Sequence, residues 1–284
     1  MRRLLIRPGG IGDCITCLPV MEKLRTGYTE VWVPSVVLPL IQFADRVRSI
    51  AETLLDLLGL EGSEAPESLK DNLVQFDSIV SWYGSNRSGF RDSASLINPH
   101  WQFLPALPPA DSPLHATDFH ARNIGMPMGL VPRLQVEAHE RRNSIAIHPF
   151  SGGVKKNWRL DRFRLLEKRL PVPVDWIAGP EDKIANAHRF DNLLELASWM
   201  AGAQAYVGND SGITHLAAAA GVRTVALFGA GNAHIWRPRG ERVKLVERSS
   251  MDDIEVEEVL EAVKGVTGDR GLDPAVSPAS FSKK

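Results

Sequence analysis

The sequence predicts an α/β protein built as two doubly wound, Rossmann-like domains facing a central cleft. Three observations carry that expectation. Short apolar runs alternate with helical periodicity, the pattern of a parallel sheet covered on both faces. The turns that join strand to helix are rich in glycine and polar residues, as ligand-binding turns of such sheets are. The alternation also lapses near mid-chain and then restarts.

In the first half, residues 4–6 read as a strand, and a glycine-rich turn leads into a helix over 13–24. Residues 31–33, 47–51 and 78–82 read as further strands. The stretch 98–114 breaks the rhythm, because Asn98-Pro99 and the prolines at 105, 108 and 109 are turn and loop chemistry. A helix over 115–124 stops before Gly125-Met126-Pro127, and a polar run follows at 137–143. The domain boundary is expected within 128–143, giving a first domain over 1–140 and a second over 141–265. In the second half, strands are expected at 144–148, 174–179, 205–207 and 224–228, and helices at 161–169, 193–200, 212–220 and 256–263. Gly221 is placed to end its helix with positive φ. The tail 266–284, rich in Gly, Pro, Ser and Lys, is expected to fray.

Length and composition agree with two globular domains. The chain has 284 residues, 44% hydrophobic and 24% charged. A net charge of -1 offers no general attraction for nucleic acid. No apolar run reaches the roughly 20 residues of a spanning helix. The start, Met1 to Pro8, reads as a first strand and not as a signal peptide. Cys14 and Cys17 are the two cysteines. They read as small apolar residues on one helix face in a reducing, cytoplasmic compartment.

Three segments carry the chemistry. Arg7-Pro8-Gly9-Gly10-Ile11-Gly12-Asp13 joins the first strand to the first helix. Its glycines, Gly12 among them, let backbone approach a ligand, and a helix start offers unpaired N–H groups. The spacing fits neither a dinucleotide fingerprint nor a P-loop. Asp13 is either a helix N-cap or a general base at the cleft edge. The second segment follows the strand at 144–148: Ser151-Gly152-Gly153-Val154-Lys155-Lys156-Asn157-Trp158. Amides at Ser151, Gly152 and Gly153 with the ammoniums of Lys155 and Lys156 suit a diphosphate, although a solvated loop with exposed lysines has the same composition. The third is Asn209-Asp210-Ser211-Gly212-Ile213-Thr214-His215 ahead of an alanine run. Asp210 or Ser211 can cap that helix, and the N–H groups of Gly212 and Ile213 attract a phosphate oxygen. His215 is either structural or catalytic. Glu181, just past a strand end, either grips ribose hydroxyls or is a loop acid in water. His100, His115, His120 and His139 show no metal-ligand spacing.

Taken in order, Gly12-Asp13, Lys156-Asn157-Trp158, Asn209-Asp210-Ser211-Gly212 with His215, and Leu227-Phe228-Gly229 resemble glycosyltransferase family 9, the ADP-heptose:lipopolysaccharide heptosyltransferases. The resemblance runs over about residues 2–263. It implies a GT-B architecture and an inverting reaction that needs no metal or other cofactor. It implies Asp13 as base on the acceptor hydroxyl, Lys156 as the phosphate-binding lysine, Asp210 as a contact to the donor sugar and Glu181 as a ribose contact. The segment 211–215 would match the family's diphosphate-binding helix start. The implied partners are a nucleotide diphosphate sugar donor and an anionic glycan or glycolipid acceptor. The implied location is the cytoplasm, with peripheral contact at the inner membrane face. Arg87, Arg91 and Arg122 could meet the acceptor's charges, or could be solvated surface arginines. Two other classes remain open at this point: a nicotinamide-dependent oxidoreductase, and a non-catalytic nucleotide-sugar binder.

Overall fold

The structure is a computed structural model that describes residues 1–60, 64–138, 140–229 and 231–268. His139, Ala230 and the tail from 269 onward, where fraying is expected, lie outside the described residues. The chain divides into two compact units, Met1–Leu130 and Val131–Lys284. The division at 130/131 lies within the expected 128–143 and before 140/141. Residues just past it attach to the second unit, where the Leu134 N–H donates to the Ala219 carbonyl at 2.9 Å.

The first unit contains β1 (Arg2–Ile6), α1 (Ile11–Lys23), β2 (Tyr28–Val33), β3 (Arg46–Ser49), α2 (Glu67–Leu73), β4 (Ser78–Ser81), α3 (Ser88–Ile97), β5 (Trp101–Phe103) and α4 (Ala116–Asn123). Its five strands are parallel, in the order β3-β2-β1-β4-β5. Leu4, Leu5 and Ile6 are fully buried, as a central strand covered on both faces requires. The chain leaves β1 toward β2 on one side and later returns to β4 on the other. The switch point therefore lies between β1 and β4, and ligands of open parallel sheets bind beyond the carboxyl ends at such a point. The turn at 7–13 leaves β1 there.

The second unit contains β6 (Ile145–His148), α5 (Leu160–Arg169), β7 (Val174–Trp176), α6 (Leu193–Ala201), β8 (Ala205–Asn209), α7 (Gly212–Ala219), β9 (Thr224–Phe228), α8 (Ala233–Trp236), β10 (Val243–Glu247) and α9 (Val256–Thr267). The parallel order is β10-β9-β8-β6-β7. Here the switch point lies between β6 and β8. The loop after β6 and the turn after β8 are the two segments that sequence had marked. Ile145, Ile147, Val207, Val225 and Leu227 from the sheet meet Trp158, Phe163, Leu166, Val259 and Val263 in one buried core.

Several elements differ from expectation. The loop expected over 98–114 contains β5, whose Trp101 and Phe103 stack at 5.2 Å on one side of the strand. This strand is three residues long and lies between prolines, so its alternation is too short to read. Edge strand β10 and helices α2, α3 and α8 were also unmarked. The expected strand at 47–51 is one residue displaced at its start and ends at Ser49, where a single 3-10 turn begins. Helix α9 runs past the expected 263 to Thr267, whose hydroxyl donates to the Val263 carbonyl at 2.9 Å.

Candidate functional site

In the first unit, α1 begins at Ile11, two residues earlier than expected, with Gly10 as its N-cap. Asp13 is therefore not the cap. It stands in the first turn, and its Oδ2 accepts the Gly10 N–H at 2.8 Å. A carboxylate there also meets the positive end of the helix dipole. Gly9 has φ +110°, and a Cβ at that residue would fall 2.8 Å from Asp13 Oδ2. Backbone conformation and the carboxylate thus both require glycine at that position. Behind the turn, Arg7 is fully buried. Its Nη2 and Nε donate to the main-chain oxygen of Asp13 at 2.9 and 3.3 Å, and its Nη1 donates to the Ala106 carbonyl at 2.9 Å. Cys14 and Cys17 are free and buried in α1. Burial pushes both thiols up to about 12. They stay protonated and serve as packing, as their composition suggested.

In the second unit, the loop after β6 is pinned at both ends. Asn209, fully buried at the end of β8, donates from Nδ2 to the Pro149 carbonyl at 2.6 Å and accepts the Trp158 N–H at 3.1 Å. Trp158 is buried against Phe163, and its Nε1 donates to the Ile254 carbonyl at 3.0 Å. Between those anchors, Ser151 donates its hydroxyl to Asn157 Oδ1 at 2.8 Å, and Gly152, Val154 and Lys155 face solvent. The Gly153 N–H is directed at Ser151 Oγ, at a long 3.4 Å. Lys156 turns inward and its ammonium pairs with Asp210 Oδ2 at 2.6 Å. The aspartate side chain is 8% exposed and the lysine 44%. Gly231 lies against the same carboxylate, where a Cβ would come within 2.8 Å of Oδ2.

Ser211, not Asp210, caps α7, its Oγ accepting the Thr214 N–H at 3.4 Å. The N–H groups of Gly212 and Ile213 lie in the first turn, where no earlier helical carbonyl can reach them. Thr214 ties this helix to β8 through the Asn209 carbonyl at 2.5 Å and the Tyr206 hydroxyl at 3.2 Å. His148 is buried at the end of β6. Burial lowers its pKa to about 4 against the opposing pull of Asp182, so the ring is neutral near pH 7. Two backbone-bearing loops, an inward lysine and a buried carboxylate thus meet at one sheet end. Amides and an ammonium are suited to bind phosphate oxygens, and a carboxylate is suited to bind sugar hydroxyls.

Residues 190–263 match the model of glycosyltransferase family 9 (heptosyltransferase). That stretch of the second unit is similar to family 9. No curated protein sequence gives a significant match. Among solved structures, the E. coli ADP-heptose LPS heptosyltransferase II is similar at TM-score 0.72 and 17% identity, over 95% of this chain and 99% of that one. A family 9 glycosyltransferase from Veillonella parvula DSM 2008 gives TM-score 0.70 and 16% identity over 94% and 97%. The E. coli heptosyltransferase WaaC with ADP gives 0.68 and 14% over 94% and 100%. At such identities the likeness is one of fold: α/β with two parallel sheets, as in GT-B heptosyltransferases.

The second unit brings Lys156 and Asp210 together and puts Ser151, Gly152, Gly153 and the start of α7 around them. Glu181 is exposed on the loop after β7, and it is Asp182 that closes that turn, accepting the Gly179 N–H at 2.7 Å. His215 is buried in α7, and Lys155 is exposed. Arg87 is half-buried, its Nη1 donating to the Tyr83 hydroxyl at 3.3 Å, while Arg91 and Arg122 are exposed. Among the described residues, no three His, Cys, Asp or Glu side chains gather as a metal-holding group. No described helix is long and apolar enough to cross a membrane. Sequence reasoning missed Asn209 and Asn157 as loop anchors and gave Arg7 no role.

Proposed function

We propose that this protein is an inverting glycosyltransferase that uses no metal and moves a heptose from an ADP-activated donor to a hydroxyl of an anionic glycan or glycolipid. The observation that carries this reading is the Lys156–Asp210 pair at 2.6 Å, held at the β6/β8 switch point beside the Ser151–Gly153 backbone. Of the similar E. coli proteins, one is an ADP-heptose LPS heptosyltransferase and the other a heptosyltransferase with ADP. In the proposed reaction, Lys156, the amides of Gly152 and Gly153 and the first turn of α7 at Ser211, Gly212 and Ile213 receive the charge that grows on the departing diphosphate. Asp210 binds donor-sugar hydroxyls, Glu181 binds the ribose, and Ser151, Lys155 and His215 complete the donor site. Gly12 lets backbone approach the substrate, and Asp13 takes the acceptor proton as the hydroxyl attacks the face opposite the diphosphate. Acceptor charges would meet Arg87, Arg91 and Arg122, with the enzyme cytoplasmic and peripheral to the inner membrane face.

The test is release of ADP from ADP-heptose in the presence of a deacylated lipopolysaccharide-core acceptor, with and without EDTA. The expected result is acceptor-dependent release and an inverted anomeric product, at a rate that EDTA leaves unchanged. A chelator-sensitive rate, or a product of retained configuration, would contradict the reading. Neither competing class gains support from the geometry, since the 7–13 turn has no dinucleotide fingerprint and the family match falls among transferases.

A further inference from the structure

Arg7 presents a physical anomaly that the reaction above does not use. Its side chain is completely buried, yet its guanidinium meets main-chain carbonyls and enters none of the ion pairs among the described residues. A buried cation without a carboxylate is costly, and here main-chain carbonyls of two separate segments take up its donors. Two of its three hydrogen bonds end on one atom, the main-chain oxygen of Asp13, and the third ties that grip to Ala106 in the loop after β5. From the other side, the Gly10 N–H holds the Asp13 carboxylate itself.

We propose that Arg7 is the positioning residue of the Asp13 base, fixing the first turn of α1 from behind so that the carboxylate stands at one place and angle. This rests on the assignment of Asp13 as the acceptor base. The guanidinium is a planar fork, so it can fasten two carbonyls from different segments at once, which an ammonium cannot do with the same rigidity. A misplacement of about 1 Å is enough to lower a rate ~10²-fold.

The surroundings are arranged for a single fixed charge. The groups that sense Arg7 are Cys14 and Cys17 of α1 and His120 of α4. Both ring nitrogens of His120 are buried without a hydrogen-bond partner, and its ring meets Trp82 edge-on at 6.2 Å. Burial foremost, then the Arg7 charge and that of His115, hold His120 well below the usual imidazole range. The imidazole is thus neutral beside the guanidinium and does not compete with it.

The experiment is a double-mutant cycle of Arg7→Met and Asp13→Asn, read as kcat and donor KM. Arg7→Met should lower kcat by ~10-fold or more while donor KM changes less than ~2-fold, and should slow Asp13→Asn no further, because it acts through the same group. The proposal is overturned if Arg7→Met keeps the wild-type kcat, or if it slows Asp13→Asn by the factor it slows the wild type. If Asp13→Asn alone turns over at the wild-type rate, the base assignment falls, and that arm identifies the cause. Should Arg7→Met not fold, Arg7→Lys, which keeps the charge but loses the planar fork, enters the same cycle with the kinetic criteria alone.

Discussion

Asp13→Asn should leave the protein folded and lower its transfer rate by ~10²–10⁴-fold, the usual cost of losing an essential general base. The substitution is nearly isosteric. An asparagine oxygen can still accept the Gly10 N–H that Asp13 Oδ2 now accepts at 2.8 Å. The helix start, the Arg7 grip on the main-chain oxygen and the glycine turn are untouched, so thermal unfolding should shift little. What disappears is the capacity to take a proton. Donor KM should hold within a few-fold, because Asp13 is assigned to the acceptor hydroxyl and not to the nucleotide. Steady-state kinetics with a melting curve on the same sample check both halves. An asparagine variant with full turnover would remove Asp13 from the chemistry.

The second large effect concerns Lys156. Lys156→Ala should lower kcat/KM for the donor by ~10²–10³-fold, the scale seen when one donor aimed at developing negative charge is removed. The same change strips the Asp210 carboxylate, 8% exposed, of its counter-charge at 2.6 Å. Some stability should go with it, since an unpaired buried charge is penalised. The loss is limited because the lysine is 44% exposed and water can reach the site. Lys156→Ala should therefore melt lower yet remain folded, held by the Asn209 and Trp158 anchors of the loop. Lys168→Ala, on the exposed side of α5, is the control and should change neither value. Wild-type donor kinetics in Lys156→Ala would argue against its role.

Sequence alone made the turns legible and left their partners hidden. Gly9-Gly10, Gly152-Gly153 and Ser211-Gly212 stand out because glycine and polar residues interrupt apolar runs at strand ends, a local signal. Strand order carries no local signal. That the loop after β6 and the turn after β8 share one switch point follows from β6 lying between β7 and β8, and pairing of that kind is tertiary. The Lys156–Asp210 contact was unreadable for the same reason, although both residues were singled out separately. Strands β5 and β10 lie at sheet edges, where one side of each lacks a partner strand, so their composition is not forced to be apolar. Asp13 read equally well as N-cap or base; the helix start at Ile11 takes it out of the cap position, and its role as base is a proposal. Arg7 looked like an ordinary charge after a strand, and its total burial is visible in the fold alone.

The central claim is that groups of the protein itself accept the leaving diphosphate at the β6/β8 switch point. A crystal structure with ADP bound tests it most directly. The account predicts the diphosphate oxygens within hydrogen-bond distance of Lys156 Nζ, of the backbone at Gly152 and Gly153, and of the first turn of α7. ADP bound elsewhere, or bound there with Lys156 turned away, would contradict it.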